Sequence, residues 1–482
     1  VGAYFLVFSF KFLAFSFYYI ARINIIFYQI LAINHQQTMS DIIPITENNK
    51  KLARLWLIQS VGALAFSGLF AIFLVLARSP KVGKLLPYED FFRTSLTIHV
   101  NLSVLIWLTS IIATIFVLNT RYIKLGYLGL LLCSFGTIII TLSIFDISAH
   151  AYLNNYIPML DAKLFKLGIA LYIIGIFVAS FQAVSCFSEF KIFRVFCQTS
   201  FLILMASFIV LVLTLISINS PENIGLYNFA DYYERLFWGF GHMLQFLFVN
   251  AVIFCVFFLI DRISNKQNSK FILNSKIFIF YLNLVLAASG IYIILIYDVS
   301  SFEYIDFYTK QMVMFGGVAA TLAFLIFMPQ LINNYKKFAI NKPVRNSIIF
   351  SIILFLAGGI ISMFISGVNT IIPAHYHGSI VGVSLGLMAF TYYIMPKIGY
   401  SEISGKMANL QPIFYGSGQL IHIIGFAISG GYGAMRKMPG QELPTEAKVY
   451  MGLMGMGGLI SIIGGLFFVI VIFKSVIKFR RK

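Results

Sequence analysis

Six histidines offer the most chemistry in this sequence: His99, His150, His242, His375, His377 and His422. Each falls in or beside an apolar run of helical length. Imidazole binds transition metals through whichever ring nitrogen lacks a proton, and it is a common axial ligand of haem iron. A histidine buried in lipid is costly and usually has a task. The tightest pair lies in Ala374-His375-Tyr376-His377-Gly378. On a helix, residues two apart differ by about 200°, so the two rings leave opposite faces. That geometry suits two separate metal centres and disfavours one chelate. The plain alternative is a pair of hydrogen-bonding rings at a helix mouth.

The elements that position these rings are set by composition. The 482 residues are 60% hydrophobic and 11% charged, with a mean hydropathy of +0.90. A bilayer crossing takes roughly 20 apolar residues. Twelve such runs follow Met39, over about 53–77, 91–118, 123–147, 165–187, 192–217, 233–260, 271–296, 311–335, 346–367, 372–396, 410–435 and 450–475. The chain therefore reads as an all-α polytopic membrane protein. Its net charge of +18 does not point to nucleic acid, because the basic residues sit in short loops between apolar runs. Arg121, Lys124, Lys191, Arg194, Lys270, Arg345, Lys406 and the tail from Lys474 share one side, while Asp298, Glu303 and Asp306 lie on the other. The positive-inside rule then puts both ends of the twelve-helix core in the cytoplasm, with a bacterial inner membrane as the expected location.

Six histidines thus come to the outer half from helices running in both directions, as a cofactor layer would require. Residues 1–38 begin at Val1 and are rich in aromatics. They read as an upstream start chosen ahead of Met39 in preference to an extra apolar helix, leaving 39–482 as the haem-binding domain. Cys133, Cys186, Cys197 and Cys255 are isolated, with no CxxCH for covalent haem attachment. Any haem is held non-covalently.

In combination these motifs resemble the catalytic subunit of the haem–copper oxidase superfamily, over about residues 50–475. The His-x-His of helix ten is similar to the family's pair, whose first member binds a high-spin haem and second a low-spin haem. That resemblance implies His375 for the first and His377 for the second, with His99 of Thr97-Ile98-His99-Val100-Asn101 as the other low-spin ligand. Trp238-Gly239-Phe240-Gly241-His242 looks like the helix-six segment whose histidine binds copper, making Trp238 a cofactor neighbour and His242 a ligand. His422 lies ahead of Arg436 and Lys437, which look like the basic pair that meets haem propionates. The run Leu153-Asn154-Asn155-Tyr156-Ile157-Pro158 is similar to a shaped loop of such oxidases. The resemblance implies a twelve-helix bundle of the oxidase subunit I type, two haems, further oxidase subunits, and cytochrome c or quinol as electron donor.

The pattern breaks at copper. Family members add an adjacent His-His pair on helix seven, and this chain has no histidine between 242 and 375. One imidazole does not hold copper tightly, and Tyr292, Tyr297 or Asp298 would assist only in an unusual oxygen-rich site. Phe246 stands four residues after His242, where some members have tyrosine. No acid or lysine lies at mid-depth, so a proton route would use groups such as Tyr281, Asn283 and Ser289. The sequence supports first a terminal oxidase that passes electrons from the low-spin to the high-spin haem and reduces oxygen to water, with His375 and His242 at the reaction centre. The alternative is a haem protein for electron transfer, sensing or assembly that has lost copper. A transporter is disfavoured, since its site would lie near the midplane between inverted repeats.

Overall fold

The computed structural model describes residues 45–77, 90–220, 223, 225–264, 269–333, 341–436 and 442–480. Residues 1–38 lie outside this set. Among the described residues twelve helices are long and apolar enough to cross a membrane: α1 (Glu47–Leu76), α2 (Phe91–Val117), α3 (Ile123–Phe145), α4 (Lys163–Ala183), α5 (Lys191–Ile218), α6 (Phe229–Arg262), α7 (Lys270–Ile296), α8 (Phe302–Asn333), α9 (Lys342–Ser362), α10 (Ile371–Ile398), α11 (Lys406–Gly431) and α12 (Thr445–Phe479). This is an integral membrane protein. Short loops make sequence neighbours antiparallel, and α3–α4, α5–α6, α9–α10 and α11–α12 are the tightest pairs.

Burial sorts the helices. α6, α2 and α10 are enclosed, while α1, α3, α7, α8 and α12 turn large apolar side chains such as Phe135, Ile138, Val285 and Leu459 outward. No aqueous surface would tolerate so many; lipid does. The core between the enclosed helices is dry and aromatic. Every residue of the stretch Trp107–Val117 is buried. Its polar atoms are matched inside the bundle: Trp107 Nε1 donates to Ser384 Oγ at 3.2 Å, and Tyr172 Oη lies 2.7 Å from Thr109 Oγ1. The His99 end of α2 differs, for His99, Val100, Ser103 and Val104 keep accessible surface.

Two glycine-lined seams fix the helices that carry histidine. A Cβ on Gly378 of α10 would fall 2.6 Å from Gly358 Cα of α9. A Cβ on Gly425 of α11 would fall 2.5 Å from Met454 N of α12. Small residues let backbones touch in a bilayer, where association depends on packing more than on the hydrophobic effect. Between α3 and α4 the chain forms two short antiparallel strands, β1 (Ala151–Tyr152) and β2 (Met159–Leu160), with Ala151 opposite Leu160. The loop joining them, 153–158, folds back over α2 and α6.

The apolar runs predict α8 from about 311, yet it begins at Phe302. Ser301 caps it by accepting from Tyr304 N at 3.2 Å, and Lys310 pairs with Asp306 at 2.6 Å one turn away. Charges that hydropathy assigns to a loop are a capped helical turn.

Candidate haem site

His99 is the ninth residue of α2. Its Nδ1 lies 2.9 Å from the backbone oxygen of Ser67 on α1. A carbonyl only accepts, so in the neutral ring Nδ1 carries the proton and Nε2 the lone pair. Directly after His99 the helix widens into a π-turn, Asn101–Ile106. Asn101 Nδ2 donates both to Thr97 O at 2.9 Å and to Pro158 O at 2.8 Å, and Ser103 Oγ donates to His99 O at 2.7 Å. Such bulges concentrate at functional sites.

The same carbonyl tether recurs. His375 Nδ1 is 2.8 Å from Gly358 O across the α9–α10 seam. His422 Nδ1 is 2.8 Å from Met454 O across the α11–α12 seam. Fixing one ring nitrogen on a carbonyl is how proteins set the tautomer and direction of a ligating imidazole. For His99 and His375 the tether leaves Nε2 without a protein partner among the described residues.

His377 points away from His375, as the helical geometry requires. Its ring centroid is 4.9 Å from that of His422 and 5.9 Å from that of Phe426, and it stands within charge–charge range of both His422 and His99. The fold therefore gathers His99, His377 and His422 from α2, α10 and α11, and turns His375 to the α9 side.

His242 is different. It is 3% exposed, and both of its nitrogens are taken. Nδ1 is 2.7 Å from Trp238 O, and Nε2 is 2.9 Å from Tyr156 Oη. Trp238 covers it at 4.8 Å between centroids and donates its own Nε1 to Ile305 O at 3.2 Å. Tyr156 belongs to the 153–158 loop. Burial pushes its phenol up from the ordinary range, with Glu234 adding to the effect, so the hydroxyl keeps its proton and donates.

Not every expected residue joins the layer. His150 lies past α3 in the turned loop, exposed, with Nδ1 3.5 Å from Asp90 Oδ2; residue counting gave its depth but not its direction. Tyr292 and Tyr297, 65% and 41% exposed on and just beyond α7, lie outside the bundle and lend nothing to a metal, and Tyr281, named for a proton route, is 44% exposed. Asp298 accepts from Asn223 Nδ2 at 3.0 Å. Arg436 Nη1 donates to Asn155 Oδ1 at 3.0 Å, at the histidine end of the bundle, while Lys437 lies outside the described residues. Sequence reasoning missed Ser67 and Arg93, and it marked Tyr156 only as part of a shaped loop. Arg93, six residues ahead of His99, donates Nη2 to Ala151 O at 3.2 Å, and its Nε lies 4.0 Å from Asp90 Oδ1.

The donor set fits haem iron and does not fit copper. Tethered imidazoles with an uncommitted Nε2 are the ligands a macrocycle's iron takes. Copper needs several nitrogen or sulfur donors. Here the one lone pair of the α6 imidazole is engaged by the Tyr156 hydroxyl, and among the described residues no three His, Cys, Asp or Glu side chains gather as a metal site. Two small apolar spaces that share Leu105 and Leu244 each hold about 10 Å³, room for no more than a water molecule.

Residues 51–460 match the family described as Cytochrome C and Quinol oxidase polypeptide I. An uncharacterized protein of Rickettsia prowazekii (strain Madrid E) is 31% identical, over 89% of this chain and 96% of its own length. An uncharacterized protein of Aquifex aeolicus (strain VF5) is 26% identical, over 74% of this chain and 88% of its own.

Proposed function

The chain belongs to the cytochrome c and quinol oxidase polypeptide I family, and from that premise we propose that it is a haem-holding electron-transfer protein of the membrane whose α6 histidine carries no copper. Family membership brings haem as a cofactor in general. His99 and His377 are the ligands of a low-spin haem, His375 that of a high-spin one, and both haems are non-covalent. The observation that carries this reading is the contrast at the ring nitrogens: Ser67 O and Gly358 O orient His99 and His375 with Nε2 uncommitted, whereas His242 spends both nitrogens on protein groups.

When bound, a six-coordinate haem exchanges single electrons and a five-coordinate one keeps a position for a small ligand. The protein's residues orient and seal. The Ser67, Gly358 and Met454 carbonyls hold three rings in fixed tautomers. The fully buried stretch Trp107–Val117 keeps water from the bundle beneath them. Arg436 and Arg93 supply cations at the histidine end, suited to carboxylates at the edge of a macrocycle. Cytochrome c or quinol remains the donor this reading names, with further subunits in the assembly.

Reduction of oxygen to water is the second reading, favoured by the tethered His375 with its uncommitted Nε2 and by the family's motif order. Reduced-minus-oxidised and carbon-monoxide difference spectra of the purified protein, followed by oxygen uptake, test both. Two haem signals, one shifted by carbon monoxide, with no oxygen uptake support the first reading. Rapid uptake supports the second, and a spectrum without haem bands overturns both.

A further inference from the structure

Tyr156 is the one non-glycine residue with a left-handed backbone among the described residues, at φ 62°. Such a conformation is unfavourable for a residue with a Cβ and persists only where its surroundings impose it. Here they do, from α6, α2 and the segment beyond α11. Glu234 of α6 accepts from Asn155 N at 2.8 Å and from Asn155 Nδ2 at 2.6 Å. Asn101 of α2 donates to Pro158 O at 2.8 Å. Arg436, beyond the end of α11, donates to Asn155 Oδ1 at 3.0 Å. Within the loop, Asn154 Nδ2 donates to Ile157 O at 2.6 Å. The opposing surface gives way as well: a Cβ on Gly241 would fall 2.2 Å from Tyr156 Cγ.

This clamp delivers one polar contact. The Tyr156 ring lies 4.6 Å from the His242 ring, and its hydroxyl reaches Nε2 at 2.9 Å. Since Nδ1–H is given to Trp238 O, Nε2 holds the only lone pair of that imidazole. A ring present merely to fill space would do so as phenylalanine; the hydroxyl is what ends on the lone pair.

We propose that Tyr156 is a specificity-determining residue that occupies the only coordinating position of His242 and thereby keeps a second metal out of the α6 side of the site. The proposal rests on the haem-holding reading, and it explains how a chain with the helix-six motif is confined to iron. Removal of the plug leaves one available imidazole, so copper taken up in its absence binds weakly but above the wild-type level.

The test uses the full-length protein in lipid, with ¹⁵N-labelled histidine and solid-state NMR, and His242 assigned as the resonance lost in His242→Gln. Cuprous ion is then added and the bound copper counted. In the wild type His242 is the Nδ1–H tautomer with a hydrogen-bonded Nε2, and copper stays near background. Tyr156→Phe moves the Nε2 resonance downfield and raises retained copper by about 2- to 10-fold, the worth of one hydrogen bond. Gly241→Ala displaces the ring while keeping the phenol in the chain, and gives the same shift. Copper near one atom per wild-type chain, or an Nε2 resonance unmoved in both variants, overturns the proposal. Absence of haem bands with the nitrogen shift intact counts against the function proposed above and not against the plug; haem bands with no shift count the other way.

Discussion

The two sides of the histidine layer are built from the same ring held in opposite ways. On the α1–α2 and α9–α12 side, each tethered imidazole gives one nitrogen to a backbone carbonyl of a neighbouring helix: Ser67 for His99, Gly358 for His375, Met454 for His422. On the α6 side, the carbonyl comes from His242's own helix, at Trp238, and the second nitrogen is met by a tyrosine from a loop. A tether from another helix aims a ring into the space between helices. Bonds at both nitrogens close it. Ligand capacity in this fold is therefore a matter of where hydrogen bonds go, and counting histidines does not measure it.

Variants that break the contrast rank by how directly they touch a lone pair. His377→Ala is expected to abolish the low-spin haem signal and to lower haem per chain by one, read from the pyridine haemochrome; an unchanged low-spin band removes His377 from the ligand set. His375→Ala is expected to abolish the carbon-monoxide shift while the low-spin band stays. Gly425→Leu attacks a seam and no ligand: its side chain must start 2.5 Å from Met454 N, where backbone cannot yield. Overpacking of this kind costs about 1–3 kcal/mol or more, expected as a lower melting temperature in detergent together with partial loss of the low-spin band. His242→Gln sharpens the comparison from the other side. Haem count and carbon-monoxide shift stay as in the wild type, and the loss of two buried hydrogen bonds costs about 1–3 kcal/mol, again visible as a lowered melting temperature.

The fold was legible because its determinant is coarse. Runs of apolar residues at bilayer length mark spans wherever they occur, and the twelve expected ones are the twelve found. The start of α8 escaped because Glu303, Asp306 and Lys310 lower the hydropathy of a turn that Ser301 caps and an ion pair supports. In the site, histidines stood out because imidazole is rare in apolar helices. The carbonyls that tether them left no mark in the sequence, since every residue has one. The loop 153–158 could be singled out by its Asn-Asn-Tyr-Ile-Pro run, but the role of Tyr156 depends on a backbone angle and on a glycine 85 positions further along the chain, a relation visible only once α6 lies beneath the loop. His150 shows the reverse error: its place in the chain suggested the layer, and the turn after α3 swings it outward.

On the function proposed above, the bundle holds haem iron on His99, His377 and His375 while its α6 histidine is closed to copper. Elemental analysis of the purified protein, with iron and copper counted per chain in one sample, tests it most directly. Two irons and background copper per chain are expected. Copper equal to one atom per chain, or no iron, would contradict it.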